Sequence, residues 1–290
     1  MLRCRNVFVI FLALLTGCAS APPVDLAAPL PRIRYLLTFD DGPSSASSRN
    51  STASIADTLA QNPTQNGIKA IFFVQTRAPT AGGSDTGKKL MQRLFVEGHV
   101  LGLHSGSARG HVSHRAMESS ELAISLADGM ADIASVTGEP PFLVRPPLWA
   151  FSSVTLDAYR QSGLSMILTD ISDRDGGPFL FQANPTDGGT MRNDLVRFRE
   201  RLRASQVPLV DGIAPVIVTF HDTNNYTAAH LSDYLATLVS AASDVGLGMA
   251  DLPYYNDRAT LLEAAQTRSG DTASRRDMVP WPWNLIWAVH

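Results

Sequence analysis

The chain has 290 residues, 44% of them hydrophobic and 18% charged, which is enough to bury a sizeable core in one large domain or two small ones. Its 27 acidic and 24 basic residues give a formal net charge of −3, without the basic field that binds nucleic acid. Composition therefore excludes nucleic acid as a partner recognised by bulk charge. The function has to be sought in a local site.

The N-terminal segment has the layout of a secretory signal. Two arginines precede an apolar run from Val7 to Leu15, which is too short for a transmembrane helix and ends in small residues. The sequence LTGC, ending at Cys18, resembles the bacterial lipobox, in which the cysteine is lipidated and becomes the mature N-terminus. We therefore expect residues 1–17 to be a lipoprotein signal peptide and residues 18–32 a lipidated tether. The alternative is an ordinary signal peptide with a chance cysteine.

Lipidation at Cys18 implies export and attachment to a membrane. Ala19 and Ser20 follow the lipobox, instead of the aspartate that retains many Gram-negative lipoproteins at the inner membrane. If the chain is Gram-negative, the expected location is the outer membrane, facing the periplasm. The other cysteine, Cys4, leaves with the signal, so we expect no internal disulfide.

From Arg34 onward, short apolar runs alternate with longer segments of helical period. The predicted strands are Tyr35–Phe39, Ala70–Val74, Val100–Leu103, Phe142–Val144, Ser165–Thr169, Val216–Phe220 and a weaker Leu247–Met249. The predicted helices are Ser51–Gln61, Gly87–Glu97, Arg115–Val136, Val154–Ser162, Arg192–Ala204, Ala228–Val245 and Ala259–Gln266. This alternation predicts an α/β fold with repeated β-α units and a parallel sheet.

Polar, titratable residues follow most of the predicted strands. They are Asp40 with Asp41, His104, Arg145, Asp170 with Asp173 and Asp175 after it, and His221 with Asp222. Because the carboxyl ends of parallel strands meet at one edge, these side chains are expected to form a site. One carboxylate and two imidazoles suit a divalent metal, which also compensates two adjacent aspartates. A solvated turn with an Asx cap remains the alternative for the DDG sequence alone.

The motifs TFDDGP, GLHS, RPP and VTFHD occur in that order, with an aspartate-rich loop between the last two. In these motifs, residues 33–252 resemble the polysaccharide deacetylases of carbohydrate esterase family four. The resemblance implies a single domain built as a distorted (β/α) barrel of about seven parallel strands. It also implies metal-dependent removal of N-acetyl groups from an amino-sugar polymer or oligomer. Residues 253–290 are left as a C-terminal helix and a Trp-rich tail.

The resemblance also implies catalytic roles. Asp40 is the implied general base that activates water, and Arg145 holds it in place. His221 is the implied general acid that protonates the leaving amine, and Asp175 is implied to orient His221. The backbone N–H of Leu148 is the implied oxyanion donor.

Asp41 and His104 are the implied metal ligands, for zinc first and for cobalt, nickel or manganese as alternatives. The family's second histidine falls four residues after the first, where this chain has Ala108. We expect His111 to replace it, because its spacing to the RPP motif fits the family, and His114 is the alternative. A regular helix would separate His104 and His111 by two turns, ~10 Å, so the loop between them must fold back.

Three further residues, Pro146, Trp149 and Phe220, are expected to contact the substrate. Trp149 stands in a position where the family has glycine after an aromatic residue, and it offers a face for sugar stacking. Gly176 replaces a tryptophan expected after Asp175, so one stacking wall is either missing or supplied by another part of the chain. Phe220 stands where the family is expected to have the leucine of an acetyl pocket, which the larger ring would narrow.

The leading hypothesis is therefore a metal-dependent deacetylase acting on an acetylated glycan of the cell envelope. One alternative keeps the site and hydrolyses O-acetyl esters. The other is a non-catalytic glycan-binding lipoprotein, suggested by the displaced histidine and the missing tryptophan. Metal binding and a comparison of amide and ester substrates separate the three.

Overall fold

A computed structural model describes residues 29–172 and 189–270. The lipidation site Cys18, the proposed orienting residue Asp175 and the Trp-rich tail lie outside these ranges. None of the helices within the two ranges combines the length and the hydropathy needed to cross a membrane.

Strands and helices alternate along the described residues, as the sequence predicts. The strands are β1 (Arg32–Asp40), β2 (Ala70–Gln75), β3 (Val100–Ser105), β4 (Leu143–Val144), β5 (Ser165–Met166), β6 (Ile171–Ser172), β7 (Ile213–His221) and β8 (Met249–Tyr254). The helices are α1 (Ser51–Ala60), α2 (Asp85–Val96), α3 (Ser119–Thr137), α4 (Ser153–Gln161), α5 (Gly189–Arg203), α6 (Asn225–Asp244) and α7 (Arg258–Arg268). Short 3₁₀ turns lie at His114–Ala116 and Pro147–Trp149.

In the described residues the strands form one eight-stranded sheet in which the paired strands run parallel. The order is β5-β4-β3-β2-β1-β7-β6, and β8 pairs with β1. Strand β1 is the centre: its whole length pairs with β7, its end with β2 and its beginning with β8. The predicted α/β barrel-like fold is confirmed as a half-barrel with surrounding helices.

The fifth predicted strand, Ser165–Thr169, differs most from the structure. Two short strands, β5 and β6, replace it, and they pair with β4 and β7 respectively. Between them, the N–H of Ile167 donates to Val144 and the N–H of Asp170 donates to Ile217. The chain therefore passes from one edge of the sheet, at β5, to the other edge, at β6, and this crossing interrupts the predicted strand.

Alternation along the strands creates two apolar clusters. On the outer face, Tyr35 and Phe39 of β1 belong to the large cluster that the sheet shares with α1 and α6. On the inner face, Leu36 belongs to a smaller cluster that also contains Ile217 of β7 and Leu261 of α7. Helix α7 therefore covers the inner face at the amino ends of the strands.

Further along the same inner face, the residues become polar. Thr38 is in register with Thr219, and Asp40 is in register with His221. The period of two thus carries one face of β1 and β7 from an apolar base to a carboxylate and an imidazole at the carboxyl ends.

Candidate active site

Two adjacent carboxylates begin the site because the backbone turns between them. Asp40 ends β1 and is 2% exposed. Asp41 follows in the left-handed region, with φ +76°, a conformation that aspartate tolerates better than most residues. A continued strand would point Asp41 to the outer face. The turn instead brings its carboxylate beside the histidines described below.

A buried cation compensates Asp40. Arg145 is fully buried, and its Nη1 donates to Asp40 Oδ1 at 2.9 Å, to Thr38 Oγ1 at 2.6 Å and to Thr219 Oγ1 at 3.0 Å. Its other two nitrogens donate to backbone carbonyls. Burial lowers the pKa of Arg145, and the neighbouring Asp40 opposes that shift. The guanidinium is thus held in one orientation beside the proposed base.

Asp41, His104 and His111 form the candidate metal group. The Nε2 atoms of His104 and His111 lie 3.2 and 3.3 Å from Asp41 Oδ1, and one potential ligand atom from each residue lies within 4.8 Å of the others. His104 Nδ1 is 2.9 Å from the carbonyl oxygen of Arg145. With the proton on Nδ1, His104 keeps its Nε2 lone pair for a metal. This donor set fits a zinc-type divalent ion.

A non-helical loop, residues 106–113, brings His111 back to the end of β3. Gly110 helps the reversal with φ +76°. The alternative ligand His114 lies elsewhere, buried with its Nδ1 2.7 Å from the hydroxyl of Tyr159. Burial lowers the pKa of His114 to about 3. The geometry therefore supports His111 as the third ligand and makes His114 a core residue.

His221 ends β7 with its Nε2 4.0 Å from Asp41 Oδ2. Burial alone would raise the pKa of Asp41, but the hydrogen bond to His104 and the nearby imidazoles, including those of His221 and His111, outweigh it. The net pKa of Asp41 is well below its usual range. Asp41 is therefore ionised at neutral pH, as a metal ligand must be.

Leu148 lies in a constrained loop after Arg145. Leu148 and Trp149 have φ of +58° and +57°, and left-handed backbone at such residues costs on the order of 1–2 kcal/mol each. The N–H of Leu148 donates to His111 Nε2 at 3.3 Å. The proposed oxyanion donor thus points at the candidate metal group.

The other two residues of this loop that were expected to contact the substrate, Trp149 and Pro146, differ in their exposure. Trp149 is half-buried, and its ring centroid lies 5.1 Å from Cζ of Arg145. Part of this indole packs on the guanidinium, and the exposed remainder is available to a sugar. Pro146 is buried, so its side chain offers little surface to a substrate.

Phe220 faces away from the site. It is 0% exposed and stacks on Phe39, with ring centroids 5.9 Å apart, and its ring centroid lies 5.3 Å from that of Tyr234. Alternation explains this position, because its neighbour His221 points inward. The expectation that Phe220 lines an acetyl pocket is wrong, and Thr219 and His221 are the inward residues at this end of β7.

Asp170 also lies away from the site in which the sequence analysis placed it. Its carboxylate accepts from the N–H of Ile217 at 2.8 Å and pairs with Arg201 at 3.0 Å and Arg268 at 2.7 Å. Ile217 precedes His221 by four residues, which is about 13 Å along a strand. Asp170 is therefore a structural residue toward the amino ends of the strands.

Two further residues border the site, and the sequence analysis assigned a role to neither. Gln75 donates from Nε2 to the carbonyl of Asp41 at 3.1 Å and to Asp41 Oδ1 at 3.2 Å. Asp222 is buried and accepts from Thr52 Oγ1 at 2.8 Å; burial, with the neighbouring carboxylates, raises its pKa to about 7. The position of Asp222 directly after His221 was an available signal. For Gln75 the signal was only its inner-face position at the end of β2.

Residues 28–167 match the sequence profile of the family described as Polysaccharide deacetylase. This segment, which is just under half of the chain, is similar to that family. The match includes the first three motifs of the site, from Asp40 to Arg145, and ends before His221.

Curated relatives extend the likeness. A chitin deacetylase of Arthroderma benhamiae is 30% identical over 142 residues, which are 48% of this chain and 34% of that protein. The peptidoglycan-N-acetylglucosamine deacetylase PgdA of Listeria monocytogenes is 27% identical over 207 residues, 71% of this chain and 36% of that protein. The chain thus spans only about a third of the length of these two relatives.

Solved structures support the fold. The chitin deacetylase of Colletotrichum lindemuthianum superposes with a TM-score of 0.54 at 19% identity, over 78% of this chain and 93% of that chain. At this identity the likeness concerns the barrel architecture.

Proposed function

We propose that this chain is a metal-dependent hydrolase that removes N-acetyl groups from an N-acetylated amino-sugar polymer or oligomer of the cell envelope. One observation carries the proposal: a fixed carboxylate, Asp40, lies at the same end of the sheet as the group Asp41, His104 and His111 and the imidazole of His221. The names of the two curated relatives, a chitin deacetylase and a peptidoglycan-N-acetylglucosamine deacetylase, support an amino-sugar substrate.

Asp41, His104 and His111 are the residues that would hold the metal, with zinc expected first and cobalt, nickel or manganese as alternatives. A divalent ion bound by such a set supplies a more acidic water and stabilises charge on the acetyl carbonyl oxygen. The low pKa of Asp41 and the contact of His104 Nδ1 with the carbonyl oxygen of Arg145, which leaves Nε2 directed at Asp41, fit this role.

The remaining residues divide the hydrolysis between them. Asp40 accepts a proton from the attacking water, and Arg145 keeps that carboxylate oriented. The N–H of Leu148 donates to the carbonyl oxygen as it gains negative charge. His221 gives a proton to the departing nitrogen, because an unprotonated amide nitrogen is a poor leaving group. The products are acetate and a free amino group on the sugar.

We also propose that lipid attachment at Cys18 holds the enzyme in the envelope, at the outer membrane facing the periplasm if the chain is Gram-negative. Residues 18–32 act as the tether. A signal-like N-terminus ending in LTGC supports this location. Metabolic labelling with a fatty-acid analogue tests it: labelling should require Cys18 and disappear in Cys18→Ala.

Acetate release tests the activity. We expect the purified protein to release acetate from acetylated chitooligosaccharides or peptidoglycan fragments, and a chelator to abolish that release. Release from O-acetyl esters alone would reassign the chain to ester hydrolysis. A protein loaded with metal that releases no acetate from any acetylated amino sugar would overturn the proposal.

His221→Ala refines the bond assignment. An amine leaving group needs a proton more than an alcohol does, so the substitution should slow amide hydrolysis more than ester hydrolysis. Equal losses on matched amide and ester substrates would contradict the role of His221 as general acid.

A further inference from the structure

Gln75 lies outside every motif of the site, yet it is hydrogen-bonded to the turn formed by Asp41 and Gly42. It ends β2 and is 6% exposed. Its backbone N–H donates to the carbonyl of Gly42 at 2.9 Å. Its side-chain Nε2 donates to the carbonyl oxygen and to Oδ1 of Asp41, at 3.1 and 3.2 Å. Gln75 therefore holds both the backbone and the Asp41 carboxylate of this turn by hydrogen bonds.

The other end of the same amide lies against the loop that carries His111. A Cβ atom added at Gly110 would lie 3.0 Å from Gln75 Oε1. The Gln75 side chain therefore lies between two segments, one carrying Asp41 and the other carrying the displaced histidine. These are the two parts of the metal group whose positions no regular element fixes.

Asp41 needs such support because its backbone is left-handed and its side chain follows the end of a strand. The oxygen that Gln75 contacts, Oδ1, is also the one 3.2 and 3.3 Å from the two histidines. A carboxylate oxygen has two lone pairs, so it can accept from Gln75 and still face the imidazoles. A neutral amide orients the carboxylate without adding a charge to the group.

We propose that Gln75 is a positioning residue for the metal group, which fixes Asp41 by hydrogen bonds and packs against the loop carrying His111. The inference rests on the proposed metal-dependent function and extends it to a residue outside the motifs. Partners of this kind typically contribute 10–100-fold to metal affinity, and we expect an effect of about that size.

Gln75→Met tests the role, because methionine has a similar length and cannot donate. Zinc affinity, measured by calorimetry on the full chain, should fall about 10–100-fold, while the melting temperature changes little. Gln65→Met is the matched control. Gln65 is similarly buried and exchanges two hydrogen bonds with the backbone of Tyr254, remote from the metal group. This variant should bind zinc as the wild type does.

The outcomes separate the inference from the function on which it rests. Wild-type protein that binds no zinc overturns the proposed function and this inference together. Wild-type protein that binds zinc while Gln75→Met binds it within twofold overturns only the role of Gln75. Equal losses in the Gln75 and Gln65 variants also overturn it, since they indicate general destabilisation.

If Gln75→Met does not fold, the wild-type protein still provides a test by NMR. The side-chain amide protons of Gln75 should exchange slowly with solvent and shift when zinc is added. Exchange as fast as that of an exposed glutamine would refute the proposed contact.

Discussion

Carboxylates lie at both ends of the barrel, but the groups that surround them differ. Toward the amino ends, Asp170 is matched by two arginines and a backbone N–H. At the carboxyl ends, Asp41 meets imidazoles and an amide, and the Oδ1 of Asp222 has no hydrogen bond among the described residues. The compensated end holds helices to the sheet, whereas the other retains groups that can bind a metal or move a proton.

The groups around an aspartate, more than its burial, distinguish a structural carboxylate from one that can take part in catalysis or metal binding. Arg268 comes from α7 and Arg201 from α5, so Asp170 joins three parts of the chain. Removing one partner from such a cluster leaves a buried charge uncompensated. At the opposite end the compensation is incomplete, and the proposed metal ion would add the missing positive charge.

The largest expected effect is at the carboxyl ends of the strands, where the candidate metal group lies. Asp40→Asn removes the proposed base but keeps its shape, and should lower kcat/KM for acetate release about 10²–10⁴-fold. Zinc affinity should stay close to that of the wild type, since Asp40 is outside the metal group. Activity within a few-fold of wild type would contradict the proposed base.

At the compensated end, Asp170→Ala should act on stability. It removes the buried carboxylate that Arg268 and Arg201 share, so the free energy of unfolding should fall by about 3–5 kcal/mol. Urea denaturation measures this loss. The kcat of the folded fraction should be unchanged, and a selective loss of kcat would erase the distinction between the two ends.

The two loop histidines provide a smaller, paired test. His111→Ala should weaken zinc binding at least 10-fold, since it removes a ligand rather than an outer partner. His114→Ala should lower stability by about 1–3 kcal/mol, because the hydroxyl of Tyr159 loses its buried partner, while zinc binding is kept. Zinc titration and thermal unfolding of both variants check the pair, and a reversed pattern would assign the ligand to His114.

The smallest effect concerns pH. In the folded protein the pKa of Asp222 is about 7, above its ordinary value of 3.8, so the folded state binds this proton more tightly. Its contribution to stability is therefore present at pH 4 and is lost as the pH rises toward about 7. Asp222→Asn should remove this dependence, worth about 1–3 kcal/mol.

Thermal unfolding of both proteins between pH 4 and 8, with chelator present, measures the difference. The chelator matters because a bound cation would itself favour the ionised carboxylate. Parallel profiles for the two proteins would show that Asp222 does not titrate in this range.

Sequence alone was sufficient for the class of fold and for much of the site. The alternation of strands and helices predicted parallel β-α units, and polar residues at strand ends predicted where Asp40, His104 and His221 would meet. The same alternation also pointed Phe220 outward, and the error there came from following the family resemblance instead of the strand period.

The tertiary structure decided the rest. The choice between His111 and His114 depends on a loop reversal that no periodic pattern encodes. The position of Asp170 depends on the chain crossing between the two edges of the sheet, and the role of Gln75 depends on contacts between separate strands and loops. Strand and helix periods are local properties and can be read from a sequence, whereas these contacts join segments that only the folded sheet brings together.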